Sequence, residues 1–162
     1  MSELQVPVLA FAAQVVCADG RELRGRLFVP ADASRHSGPM RAQEWLNEPT
    51  PFFPFERDEG GGAILLNKHE IVAITLDAEA DAGDVMAGVE VPLRYVKLDC
   101  GTRRFLGTIA IDMPPNQRRV VDHLNRFELF LTLRDGEKHH LIQKQRITQV
   151  IEAEAPEPKE AM

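Results

Sequence analysis

Leu23, Gly25, Leu27 and Val29 alternate with Arg24, Arg26 and Phe28. Period-two alternation with charge opposite the apolar face predicts a half-buried antiparallel strand over 23–29. A more continuous apolar run, Phe11 to Cys17, precedes it, and the Asp19-Gly20 pair between them predicts a hairpin turn. Glycine at position 25, inside the strand, predicts a bend or a close backbone approach. Downstream, apolar runs at Phe52–Phe55, Ala63–Leu66 and Ile71–Leu76 are separated by Glu59-Gly60-Gly61-Gly62 and by Asn67-Lys68. That punctuation predicts three more short strands joined by turns. Between the second and third strands, Arg41-Ala42-Gln43-Glu44-Trp45-Leu46-Asn47 suits one or two helical turns, with Asn47 where a left-handed C-cap residue belongs.

The same pattern then occurs a second time. Leu23, Gly25, Leu27 and Val29 match Phe105, Gly107, Ile109 and Ile111 at an offset of 82. The segment from Arg41 to Asn47 matches Arg119 to Asn125 at an offset of 78, and Phe52 and Phe53 meet Phe130 and Leu131 at the same offset. Leu66 to Ile71 meets Ile142 to Ile147 at an offset of 76. The offset changes only where loops belong, which points to an internal duplication. The second set of strands is then Val91–Leu98, a strand through Phe105–Ile111, Phe127–Leu133, His139–Ile142 and Ile147–Ile151. Cys100-Gly101 and Asp135-Gly136 serve as turns.

Strand, Gly-bearing turn, G-x-[LI], an Arg-led segment ending in Leu-Asn, two hairpin strands and a closing I-x-x-[IV] together resemble the Sm-like variety of SH3-like barrel. The resemblance covers most of both units. It implies a mainly β protein made of two small five-stranded antiparallel barrels, each with a short helical turn. Sm-like proteins place their helix before the first strand and carry an Arg-Gly or similar pair at the last turn. Here the helical turn follows the second strand, and the last turns read Asn67-Lys68 and Gln143-Lys144. The pattern is also similar to small uncharacterised bacterial domains with one copy of R-x(4)-LN and a later Asn-Lys turn, a likeness that implies no activity. The resulting organisation is a first barrel unit at 6–76, an acidic linker at 77–88, a second unit at 89–152 and an acidic, Pro- and Ala-rich tail at 153–162, expected to be disordered.

Composition narrows the function classes. The 162 residues are 44% apolar, enough for a core, and 19 Lys and Arg stand against 25 Asp and Glu for a net charge of −6. That balance argues against a general nucleic-acid binder. It is uneven, however. Residues 1–80 hold 7 basic and 12 acidic side chains, and residues 96–152 hold 10 basic and 7 acidic. RNA is therefore an alternative for the second unit, through Arg103, Arg104, Arg118, Arg119 and Arg126. The opposite signs equally allow the units to attract each other, or one molecule to dock on another as a homo-oligomer. No apolar stretch is long enough to span a membrane. No Lys or Arg precedes Arg21, so a secretory signal is not expected, and Leu9–Cys17 reads as a strand. Cys17 and Cys100 lack CxxC spacing and read as separate reduced thiols. The expectation is a cytoplasmic, bacterial-type protein.

The candidate site residues each have a structural alternative. Arg41 and Arg119 hold the same place in both units, where a guanidinium can clamp a carboxylate or phosphate. Pairing with Glu44 or Asp122 one turn on is the simpler role. Lys68 and Lys144 are expected to be solvated. Phe53 and Phe55 should face the core, leaving Phe52 and Trp45 either to form a binding patch or to cover the seam between the units. His139 and His140 are adjacent in a strand and so point to opposite faces, a poor arrangement for a metal. No GxSxG, P-loop, GxGxxG or HExxH is present. The reading is a non-catalytic protein-interaction or adaptor module without cofactor or metal. Its partner-binding residues are Arg41, Trp45, Phe52, Arg118, Arg119 and Arg126.

Overall fold

A computed structural model describes residues 8–30, 41–77, 92–111, 116 and 119–153. The first half holds β1 (Val8–Cys17), β2 (Glu22–Pro30), α1 (Ala42–Leu46), β3 (Phe52–Arg57), β4 (Ala63–Asn67), a 3-10 turn (Lys68–Glu70) and β5 (Ile71–Asp77). The second holds β6 (Leu93–Cys100), β7 (Arg103–Ala110), α2 (Val120–Leu124), β8 (Phe130–Asp135), β9 (Lys138–Gln143), a 3-10 turn (Lys144–Arg146) and β10 (Gln149–Ala153). The protein is mainly β, and every strand pairing is antiparallel. Among the described residues no helix is long and apolar enough to cross a membrane.

All ten strands join one sheet in the order β10-β6-β7-β8-β9-β5-β1-β2-β3-β4. The sheet does not close, whereas the sequence reading anticipates two separate five-stranded barrels. The first half contributes the order β5-β1-β2-β3-β4 and the second β10-β6-β7-β8-β9, and the two meet where β5 pairs with β9. Residue registers also correspond. Ala13 stands between Gly25 and Leu76, as Val96 stands between Gly107 and Glu152. Phe52 lies opposite Asn67 and Phe130 opposite Gln143; Phe55 lies opposite Ile64 and Leu133 opposite His140. At these strand positions the pairing of one half corresponds to that of the other. The proposed linker beyond Asp77 and the tail beyond Ala153 lie outside the described residues.

Alternation places Phe53 and Phe55 inside, both buried, as expected. They pack with Val15, Leu27 and Val29, with Ala42 and Leu46 of α1, and with Phe130 and Leu141 of the second half. The second cluster gathers Val96, Leu98, Ile109, Leu131 and Leu133, and takes Ala73 from β5. Each core is therefore completed by the other half. Phe127 does not belong to the third strand of its unit: that strand begins at Phe130, and the Phe127 ring is exposed.

The two in-strand glycines mark close backbone approaches. A Cβ at Gly25 would lie 1.9 Å from the Glu56 carbonyl oxygen, and one at Gly107 would lie 2.3 Å from the carbonyl oxygen of Arg134. Glu56 and Arg134 are themselves counterparts. Gly25→Ala and Gly107→Ala are each expected to lower stability by about 2–3 kcal/mol, because a backbone neighbour cannot step aside. Urea unfolding checks this, and a loss below roughly 0.5 kcal/mol, the range of a neutral surface change, would contradict it.

Candidate interaction surface

The Arg-to-Asn segment forms α1 and α2, each five residues long. At the start of α1, the Arg41 backbone N–H donates to the Glu44 carboxylate at 2.9 Å, and the guanidinium stands 3.4 Å from the same group. Arg119 forms a two-pronged pair with Asp122 at 2.9 and 3.1 Å. That pairing raises the Arg119 pKa and lowers that of Asp122. Trp45 meets the Phe53 ring edge-on at 5.9 Å and packs, partly buried, against the cluster that also holds Phe130 and Leu141 of the second half. Phe52 is on β3, far along the sheet from the seam, and is 54% exposed. Arg118 lies outside the described residues.

The basic cluster of the second half is matched by acids. Arg103 faces Glu22, Arg104 faces Asp99 in two hydrogen bonds, Arg119 faces Asp122 and Arg126 faces Glu128. Each described member thus stands beside a carboxylate, which reduces the local excess of positive charge. The arginines remain partly or largely solvated, and surface pairs of this kind contribute little stability.

Asn47 and Asn125 do not adopt the left-handed C-cap conformation; their φ values are −89° and −86°. Asn47 instead reaches across to the second half. Its amide accepts from the Phe130 N–H at 2.7 Å and donates to the Phe130 carbonyl at 3.1 Å. Gln43 joins it, accepting from the Thr132 hydroxyl at 2.6 Å. Gln143, buried in β9, donates to the carbonyls of Lys68 and Ile71 at 2.9 and 2.7 Å. These polar groups secure the seam between the halves. Of these, the repeat alignment singles out the Gln43–Thr132 pair, because its positions match Val121 and Pro54, residues that cannot form the same bond.

Lys68 is not solvated: it is 2% exposed, and its Nζ donates to the Glu48 carbonyl just beyond α1 at 2.9 Å. Lys144 does the same beyond α2, donating to the Arg126 carbonyl at 3.0 Å. The Asn-Lys and Gln-Lys turns therefore tie down the end of the helical turn. Burial pushes the Lys68 pKa below its ordinary value of 10.5, with Glu48 opposing the shift. Burial likewise raises both thiols, Cys100 to about 11, as expected of buried and unreactive cysteines.

Across the seam the Thr75 hydroxyl lies 2.8 Å from His140 Nδ1, and His140 Nε2 lies 3.3 Å from Asp135. The three types are those of a hydrolytic triad, yet Thr75 and His140 are direct cross-strand partners. Thr75 sits mid-strand between β1 and β9, not on the exposed turn that presents a nucleophile. The chain of bonds joins the two halves of the sheet.

The apolar residues that remain uncovered lie elsewhere. On the outer face of the β3–β4 hairpin, Phe52 and Leu65 are 54% and 70% exposed, beside Pro54. Phe127, next to Arg126, is 93% exposed. Comparison of the chain with protein-family models, with curated proteins and with solved structures finds no match.

Lys68→Ala is expected to cost about 2–4 kcal/mol, from lost packing and an orphaned carbonyl. Lys144→Ala, at a less buried site, should cost about half as much. Chemical denaturation of both variants checks the ordering, and equal, negligible losses would refute the tying role. The unfolded state binds the Lys68 proton more tightly than the folded state does. Wild-type stability should therefore gain on that of Lys68→Met as pH rises from the lowered folded pKa toward 10.5.

Proposed function

We propose that the chain is a non-catalytic protein-interaction module. The observation that carries this reading is the apolar strip of Phe52, Pro54 and Leu65 at an open end of the sheet. Natural sheets usually blunt an end strand with charge, proline or a covering element. Strand β4 reads Ala-Ile-Leu-Leu-Asn, without a charge, and pairs with β3 alone among the described residues. Such an edge gives a partner backbone groups for pairing and side chains for burial. We further read each half as a bent, small-barrel unit of Sm-like or SH3-like type, produced by duplication. The equal strand orders and registers support that origin. Arg41 and Trp45 support the fold beneath the surface in this reading, and Phe52 contacts the partner.

A second reading, RNA binding through the second half, draws on Phe127, an exposed ring beside Arg126 and the Arg119 turn. An exposed aromatic next to a basic residue in the chain can serve as a stacking platform for an unpaired base.

The experiment is capture of partners from nuclease-treated and untreated lysate with wild type, Phe52→Ser/Leu65→Lys and Phe127→Ala. A protein retained after nuclease and lost with the Phe52/Leu65 variant supports the module. Retention of RNA alone, salt-sensitive and lost with Phe127→Ala, would replace it with the second reading. Capture that no variant alters would overturn both.

A further inference from the structure

We propose that copies of this chain join head to tail, with the β10 edge of one copy pairing antiparallel with the β4 edge of the next. The inference rests on the interaction-module reading and names the partner as a second copy. Among the described residues, β4 and β10 are the two ends of the sheet. By register, β4 is the counterpart of β9 and β10 the counterpart of β5. Inside one chain, β9 and β5 are already paired. Each free end is thus the counterpart of one side of an interface that the protein already makes.

Four of the exposed apolar residues, Phe52, Leu65, Val121 and Ile151, are ones that this interface would cover. Phe130 and Leu141 are both fully buried against the first half, where Ile74 and Leu46 are among the residues of the same cluster. Their counterparts are Phe52 and Leu65, the exposed pair. The counterparts of Ile74, Leu46 and Asn47 are Val150, Leu124 and Asn125, and they would be supplied by a second copy. Asn125 is exposed, and its amide has no hydrogen-bond partner among the described residues, whereas the Asn47 amide holds Phe130 from both sides.

The seam pairs also change chemistry together. Thr75 and His140 hydrogen-bond across the seam; their counterparts at the two free ends are Ile151 and Ile64, both apolar. Gln43 and Thr132 hydrogen-bond; their counterparts are Val121 and Pro54, both apolar. Asp77 and Lys138 form an ion pair at 2.7 Å; their counterparts are Ala153 and Gly62, both neutral. A polar pair is replaced by a matched apolar or neutral pair in each case, so the two ends remain complementary to each other. They are poorly suited to their own kind: β4 on β4 would leave Asn125 and Val121 unused. Ala73 and Ile142 become Gln149 and Leu66, a less favourable match that the other pairs must outweigh. A contact of this type uses two different surfaces, so it propagates into a closed ring or an open filament and does not stop at a dimer.

Sedimentation velocity of the full chain over a concentration series tests the proposal. The expected result is mass rising in multiples of the 18.1 kDa chain. Leu65→Lys blocks the β4 end and Ile151→Lys blocks the β10 end. Each alone should weaken self-association on the order of tenfold or more. An equimolar mixture of the two variants should restore association and stop at the heterodimer, since each supplies the end that the other lacks. Leu65→Thr and Ile151→Thr stand in if circular dichroism shows that a lysine variant is unfolded. A wild type that stays monomeric at its highest soluble concentration would overturn the proposal, as would a mixture that stays monomeric while wild type assembles. If wild type is monomeric yet captures another protein through Phe52 and Leu65, the interaction-module reading survives and head-to-tail assembly alone fails. If that capture is also absent, both fail.

Discussion

The ladder between β5 and β9 is the contact on which the architecture depends. It joins two five-strand groups of equal order into one sheet and brings α1 over Phe130 and Leu141. Without it, Ile74 and Leu76 would lose part of their cover and Phe130 would be left in water. Hydrophobic burial drives the contact and polar groups fix its register. The Asn47 amide satisfies both backbone groups of Phe130, and Gln143 satisfies two carbonyls of the first half. A buried amide bonded this fully adds specificity at small net cost, whereas a half-satisfied one would destabilise the sheet.

The R-x(4)-LN segment and the later lysine turn form one mechanical unit. A helix of five residues leaves most of its terminal carbonyls without intrahelical partners. A lysine brought back by the 3-10 turn donates to a carbonyl just beyond the helix in both halves. Arginine at the start is paired one turn on with an acid. The recurrence of these residue types is thus explained by the local fold, without a ligand. Function is better sought where the halves differ, as at Phe52 and Leu65, which are exposed where Phe130 and Leu141 are buried.

Much of the secondary structure was legible in the sequence. Alternation marked β2, Asp135-Gly136 marked the β8–β9 hairpin, and Gly25 and Gly107 marked close approaches that the backbone distances bear out. Lys68 was misread because turn lysines are usually wet, and only the return of the chain beneath α1 removes this one from water. Asn47 was misread because a local rule, C-capping, was applied to a residue with a long-range partner. The single continuous sheet was not legible either. Which strand edges meet is decided by three-dimensional complementarity between β5 and β9, and period-two patterning carries no record of neighbours. Among the candidate site residues, the exposure of Phe52 followed from alternation. Leu65 passed unnoticed because it read as one more apolar residue in a short strand.

The sharing of core residues has a consequence for biosynthesis. When a ribosome has released only the first half, β5 has no β9 beside it, and the cluster around Leu46 still lacks Phe130 and Leu141. The nascent chain must hold a raw strand edge and an unfinished interior until about sixty more residues emerge, several seconds at ordinary elongation rates. That interval, more than the finished molecule, is when the polypeptide is most exposed to mispairing with its neighbours and has most need of a chaperone.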